Sequence, residues 1–253
     1  MKKTKGRAAK RSAPKLLRKT LNLNVPASEL PIFEHERDFR NSFHWRVLRI
    51  MSEFVDGWNF LADVKKSVTI FGSARFPKNY RWYREARKLG RLLADQGYSV
   101  ITGGGPGIME AANKGATEGG VAGDSFGLDI KLPFEQRANP YVEKGASFHY
   151  FFVRKVMLAY SAQAYVYFPG GWGTLDELTE IVTLIQTRKI SVKIPVILVG
   201  KHFWKPFLKW IEGSVQKDYK AVSPKDTNIY KLVDTAEEAL KIIERSPQRT
   251  EFG

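Results

Sequence analysis

From Ser67 onward, short β-rich runs alternate with stretches of helical spacing, and each run ends in a glycine or proline turn. The runs are SVTIFGSA (Ser67–Ala74), Tyr98–Thr102, Ser125–Leu132, Ala164–Phe168 and Pro195–Val199. Each suits a buried strand, and the intervals between them accommodate helices. Because right-handed crossovers carry the chain back to begin each new strand, this order predicts an α/β fold: one doubly wound parallel sheet with helices on both faces, in a single domain. Such a sheet binds ligands beyond the carboxyl ends of its strands. A short strand near Ile229–Val233, a helix containing Phe203, Phe207, Leu208 and Ile211, and a last helix over Ala236–Ile243 complete the expected order.

Upstream of this region, Phe39, Phe43, Val47, Ile50, Phe54 and Trp58 recur three and four apart, one stripe of a helix running from Phe33 to about Asp63. The expected organisation is a basic disordered tail (1–28), an N-terminal helical extension (29–65), the α/β domain (66–245) and a C-terminal tail (246–253). The net charge of +15 suggests a nucleic-acid partner, yet nine of its lysines and arginines lie between Lys2 and Lys19, and no acid precedes Glu29. Such a tail is too polar to pack, so solvation is its expected role, with contact to nucleic acid or an acidic surface, or service as an organellar presequence, as the alternatives. Any nucleic-acid contact is expected through this tail alone. The tail has no apolar segment of the secretory kind, and no run of about 18 apolar residues suits a bilayer. With no cysteine in 253 residues, disulfides, thiolate metal sites and a cysteine nucleophile are excluded, which fits a reducing, cytoplasmic location.

Three strand ends carry glycine turns: Gly72-Ser73-Ala74-Arg75, Gly103-Gly104-Gly105-Pro106-Gly107 and Pro169-Gly170-Gly171-Trp172-Gly173-Thr174. In a doubly wound sheet these turns open onto one cleft. Glycine lets backbone amides approach a ligand, and a helix beginning there adds unsatisfied donors and the positive end of its dipole, so together they form a cradle for phosphate. Tight strand-to-helix turns also use glycine for backbone reasons alone. The GGGPG turn is not a dinucleotide fingerprint, because Ile108 stands where the third glycine belongs, and no phosphate loop of the G-x-x-x-x-G-K-[ST] type occurs. The expected ligand is therefore a mononucleotide.

Glu177 admits two readings. Thr174-Leu175-Asp176-Glu177 has the spacing of a capping box, in which Glu177 reaches back to the amide of Thr174. Alternatively it points into the cleft from the first turn, where the dipole favours its ionised form. Spacing does not separate the two. Trp172 is likewise open between stacking on a base and covering the helix end. His35, His44, His149 and His202 show no metal-ligand spacing, so no metal and no cofactor are expected.

GSAR at Gly72–Arg75, GGGPGIMEAANKGA at Gly103–Ala116, FFVRK at Phe151–Lys155 and PGGWGTLDE at Pro169–Glu177 resemble the LOG (Lonely Guy) family of nucleoside 5′-monophosphate phosphoribohydrolases, often labelled lysine decarboxylases. The resemblance covers roughly Lys66 to Ile243. It implies a Rossmann-like fold, a homodimer or higher homo-oligomer, and hydrolysis of the N-glycosidic bond of AMP or a cytokinin riboside monophosphate to free base and ribose 5-phosphate. It further implies Arg154 and Glu177 as catalytic residues, and substrate contacts from Ser73, Gly104, Gly105, Met109, Lys155, Gly170, Gly171, Gly173 and Thr174. Taken by itself, Arg154 reads as a surface arginine at a helix start. The alternative on the same scaffold is a non-catalytic nucleotide or molybdenum-cofactor carrier, against which the presence of both Arg154 and Glu177 speaks. No lysine motif signals a pyridoxal site, so the decarboxylase label is rejected.

Overall fold

The computed structural model describes residues 42–62, 64, 66–119, 125–131, 138–160 and 162–247. The expected basic tail, the start of the helical extension and most of the C-terminal tail lie outside the described residues. The chain divides into two compact units, Met1–Leu48 and Arg49–Gly253. Of the first, only Ser42 and the opening turns of helix α1 (Phe43–Leu61) are described.

The second unit holds seven strands: β1 (Ser67–Phe71), β2 (Ser99–Thr102), β3 (Ser125–Ile130), β4 (Lys144–Phe148), β5 (Ala162–Tyr167), β6 (Val196–Val199) and β7 (Tyr230–Val233). They form one sheet in the order β4-β3-β2-β1-β5-β6-β7, with every described pairing parallel. Helices α2 (Arg81–Asp95), α3 (Ile108–Thr117), α4 (Phe151–Tyr160), α5 (Trp172–Gln186), α6 (Lys201–Trp210) and α7 (Ala236–Arg245) make the connections. Chain order reverses at β1, which has β2 on one side and β5 on the other. This is the switch point at which doubly wound sheets open a crevice.

Alternation along the strands creates two cores. Val68, Ile70, Val100, Ala164, Val166, Ile197 and Val199 face one layer with α2, α3 and α7, while Phe71, Ile101, Tyr165, Tyr167 and Leu198 face the other with α4 and α5. Every residue of β1, β5 and β6 is buried, as a parallel sheet covered on both sides requires.

Two features differ from expectation. Strand β4 has no sequence signal, because Lys144, Gly145, Ala146 and Ser147 are poor strand formers. It forms at the sheet edge, where Gly127 to Ile130 offer parallel partners to Gly145 to Phe148. Second, the helix expected around Phe203 and Ile211 does not stay α: beyond Trp210 it widens into a π-helix over Ile211–Asp218.

Candidate active site

The three glycine turns follow β1, β2 and β5, which lie side by side, and they are joined to one another. Ser73 donates its amide to the carbonyl of Pro169 (3.0 Å) and accepts at its own carbonyl from the amide of Ile108 (3.0 Å). Gly107 sits at φ +67° with its α-carbon against that same loop: a β-carbon there would overlap the Ser73 carbonyl oxygen and lie 2.9 Å from Ala74 Cα. Gly107→Ala is thus both conformationally strained and overpacked, and is expected to lower unfolding free energy by about 3 kcal/mol or more in denaturant titration.

Met109 and Arg154 meet over Gly103, whose missing β-carbon leaves room for Arg154 Nη2 and would stand 3.0 Å from Met109 Sδ. Arg154 comes from the first turn of α4, and its Nε donates to the carbonyl of Leu128 at the end of β3 (2.7 Å). Burial lowers its pKa, while the charges of Glu177 and Asp129 raise it. Glu177, on α5, is only 7% exposed. Burial pushes its carboxyl up to about 7, opposed by the Arg154 charge. A buried acid poised near neutrality beside a fixed cation has the character of a working catalytic group.

The capping-box reading of Glu177 is overturned. Helix α5 begins at Trp172 with Gly171 as its N-cap, and no side chain caps it. Thr174 is already helical, donating its amide to the carbonyl of Gly171 (3.0 Å), so Glu177 lies a further turn inside. Thr174 instead lays its hydroxyl against Gly170, where any β-carbon would overlap it. Around Gly171 and Gly173 there is open space, which leaves the first turn of α5 accessible to a ligand, with the donors that a helix start leaves unsatisfied. Trp172 is 87% exposed and so does not cover the helix end.

Three other expected contacts are engaged by the protein itself. The amide of Gly104 is not bare: it donates to Thr102 Oγ1 (3.0 Å), while its carbonyl accepts from the amide (2.8 Å) and Nδ2 (3.1 Å) of Asn139. Its glycine character serves φ +72° and close packing on Gly127. Gly105 is held similarly, its carbonyl accepting from Asn139 Nδ2 (3.0 Å). Lys155 ties α4 to α5, with Nζ 3.0 Å from Asp176 Oδ1 and 3.2 Å from Glu180 Oε2. Although burial opposes it, hydrogen bonds to those two carboxylates raise the Lys155 pKa.

The groups that hold these pieces were not among the expected site residues. Asn113 Oδ1 accepts from Thr102 Oγ1 (2.6 Å) and from Asn139 Nδ2 (3.0 Å), fixing the GGGPG loop from inside the core. Asn113 did break the apolar stripe of α3 among Ala111, Ala112 and Ala116, the one visible hint. Glu53, far away in sequence on α1, accepts the amides of His149 (2.9 Å) and Tyr150 (3.1 Å), and so caps the start of the helix that carries Arg154. Asp129, at the end of β3, adds a second acid beside Arg154; burial raises its carboxyl pKa and Arg154 opposes that. No group of three or more metal-ligating side chains occurs among the described residues, and no described helix is long and apolar enough to cross a membrane.

A family model described as "Possible lysine decarboxylase" matches residues 109–243, which include both Arg154 and Glu177. The chain belongs to that family. Within it, the resemblance to the LOG group holds: the "Cytokinin riboside 5'-monophosphate phosphoribohydrolase LOG" of Oryza sativa subsp. japonica is 32% identical over 143 residues, 55% of this chain and 57% of that protein. The chain thus spans little more than half of the rice protein's length. An uncharacterized protein from Archaeoglobus fulgidus is 30% identical over 125 residues, 49% of this chain and 78% of that protein. Among solved structures, the molybdenum cofactor carrier protein of Chlamydomonas reinhardtii is 20% identical, with a TM-score of 0.51 over 72% of this chain and 98% of that one. That likeness shows a shared Rossmann-like fold and nothing of function.

Proposed function

We propose that the chain hydrolyses the N-glycosidic bond of a nucleoside 5′-monophosphate, releasing the free base and ribose 5-phosphate. The observation that carries this reading is the buried Glu177 carboxyl, held near neutrality beside Arg154, one turn inside a helix whose start is open to an anion. In the proposed complex the 5′-phosphate sits on the amides of Gly171, Trp172 and Gly173 at the start of α5, which places the ribose toward Glu177. As the C1′–N bond lengthens, its electron pair leaves with the base and positive charge grows on the sugar. The ionised carboxylate stabilises that charge and takes the proton of the water whose oxygen bonds to C1′. Arg154 favours the ionised form of the carboxylate before the reaction, since its guanidinium stays charged at any working pH, and the departing base takes up a proton from solvent.

AMP and cytokinin riboside monophosphates are the proposed substrates, the second supported by the activity for which the plant relatives are named. A homodimer is proposed with them, in keeping with Phe151, Phe152 and Val156, which stand exposed on α4 next to Arg154. Purified chain incubated with AMP, GMP, CMP and a cytokinin riboside 5′-monophosphate is expected to release base and ribose 5-phosphate in equal amounts from at least one of them. Binding without release from any would contradict hydrolysis and favour a carrier.

A further inference from the structure

Helix α1 precedes the sheet, yet from Glu53 onward it is fastened to α4, the helix that carries Arg154. Glu53 begins the contact: its Oε1 accepts from the amide of His149 (2.9 Å) and its Oε2 from that of Tyr150 (3.1 Å). One turn on, Gly57 is buried against Met157, where a β-carbon would lie 2.7 Å from Sδ. Beside it the rings of Trp58 and Tyr160 meet edge to face, with centroids 6.2 Å apart.

A chain of hydrogen bonds leads from Glu53 to the site. Tyr150, whose amide Glu53 holds, offers its own carbonyl to the amide of Arg154 (3.2 Å), a bond that opens α4. Arg154 Nε then donates to the carbonyl of Leu128 (2.7 Å), and Nη2 occupies the space over Gly103. Charge points the same way. Helix α4 has no acid in its first turn and carries Arg154 and Lys155 near its start, where the positive end of the dipole disfavours cations. The negative charge that such a start favours comes from Glu53, which is half-buried. Bonds from amides to a carboxylate are also roughly twice as strong as those between neutral groups.

We propose that Glu53 is a positioning residue of the active site: from α1 it fixes the backbone turn on which α4 starts, and through that turn it sets where Arg154 stands beside Glu177. This rests on the reading of Arg154 and Glu177 as the working pair, and adds to it a residue from outside the sheet and its connections. Placement matters because a shift of about 1 Å in a group acting on a reacting substrate can lower the rate about a hundredfold.

Glu177 reports the position of Arg154. Its carboxyl is faced by Arg154 and Lys155 from α4 and by Asp176 and Glu180 of its own helix; burial and the two acids raise its pKa, and the two cations oppose them. Tyr167 of β5 donates to the backbone carbonyl of Glu177 (3.1 Å). Lys155 is pinned to α5 by Asp176 and Glu180, so a loosened start of α4 withdraws chiefly Arg154, and the carboxyl of Glu177 then titrates higher.

The test follows that titration by carbon NMR of the glutamate carboxyls in the full chain, which needs no turnover, and measures the pH–rate profile beside it. Glu53→Gln keeps one acceptor but sets an amino group against the second amide. It is expected to move the Glu177 titration up by about half a unit from the parent's value of about 7 and to lower kcat/KM about tenfold. Glu53→Asp, which keeps the charge and shortens the reach, should fall between the two. In an Arg154→Ala background, Glu53→Gln should add no further shift. Phe54→Leu serves as the control: it loosens the packing of α1 on the core, where Phe54 stacks on Trp58, and should lower the melting temperature without moving the titration. The proposal is overturned if Glu53→Gln leaves the titration where the parent has it, if the shift persists without Arg154, or if Phe54→Leu produces the same shift. A parent that releases no base while Glu53→Gln still moves the titration would sink the hydrolytic reading and leave Glu53 as the residue that places Arg154.

Discussion

Glu177→Gln is expected to lower the rate of ribose 5-phosphate release by about a thousandfold while making the protein more stable at pH 8. The first effect follows from the loss of the charge that stabilises the developing oxocarbenium. The second follows from linkage. The folded-state pKa of Glu177, about 7, lies above the ordinary 4.5, so the native state holds its proton more tightly than the unfolded chain does. The cost of burying the carboxylate is absent below 4.5, grows as pH rises between the two values, and is complete above 7. Glutamine never ionises. The variant should therefore be roughly 3 kcal/mol more stable than the parent at pH 8, with the gap closing toward pH 4.5. Denaturant titrations at several pH values check this, and a structural cap would show the opposite sign.

Arg154→Ala should reduce kcat/KM by about two to three orders of magnitude and move the acid limb of the pH–rate profile upward from about 7. The direction follows from the balance at Glu177: burial raises its carboxyl and the guanidinium of Arg154 opposes that, so removing the cation leaves burial, together with the Glu180 charge, to push it higher. Activity that depends on the ionised acid then requires more alkaline solution. An unshifted limb would mean that the two groups do not act as a pair.

The sequence made the sheet legible because its strands are buried on both faces and read as compact apolar runs, each closed by a glycine turn. It made the gathering of the three glycine turns legible, because they had to lie on adjoining strand ends. It could not reveal β4, whose stability comes from pairing with β3 and not from its own residues. Nor could it decide between cap and catalyst for Glu177. That depended on where α5 starts, and the chain begins the helix at Trp172, two residues before the Thr174 that spacing offered as the cap. Gly104 illustrates a further limit. Its glycine was visible, but its amide was spoken for by Thr102, and its carbonyl by an asparagine 35 residues away. Glu53 lies 96 residues from His149, whose amide it accepts. Contacts of such separation leave no local pattern.

The placement of the phosphate tests the account most directly. A crystal structure of Glu177→Gln protein soaked with AMP should show the 5′-phosphate within hydrogen-bond distance of the amides of Gly171, Trp172 or Gly173, and the ribose within reach of residue 177. A phosphate seated elsewhere, or a ribose turned away from residue 177, would contradict it.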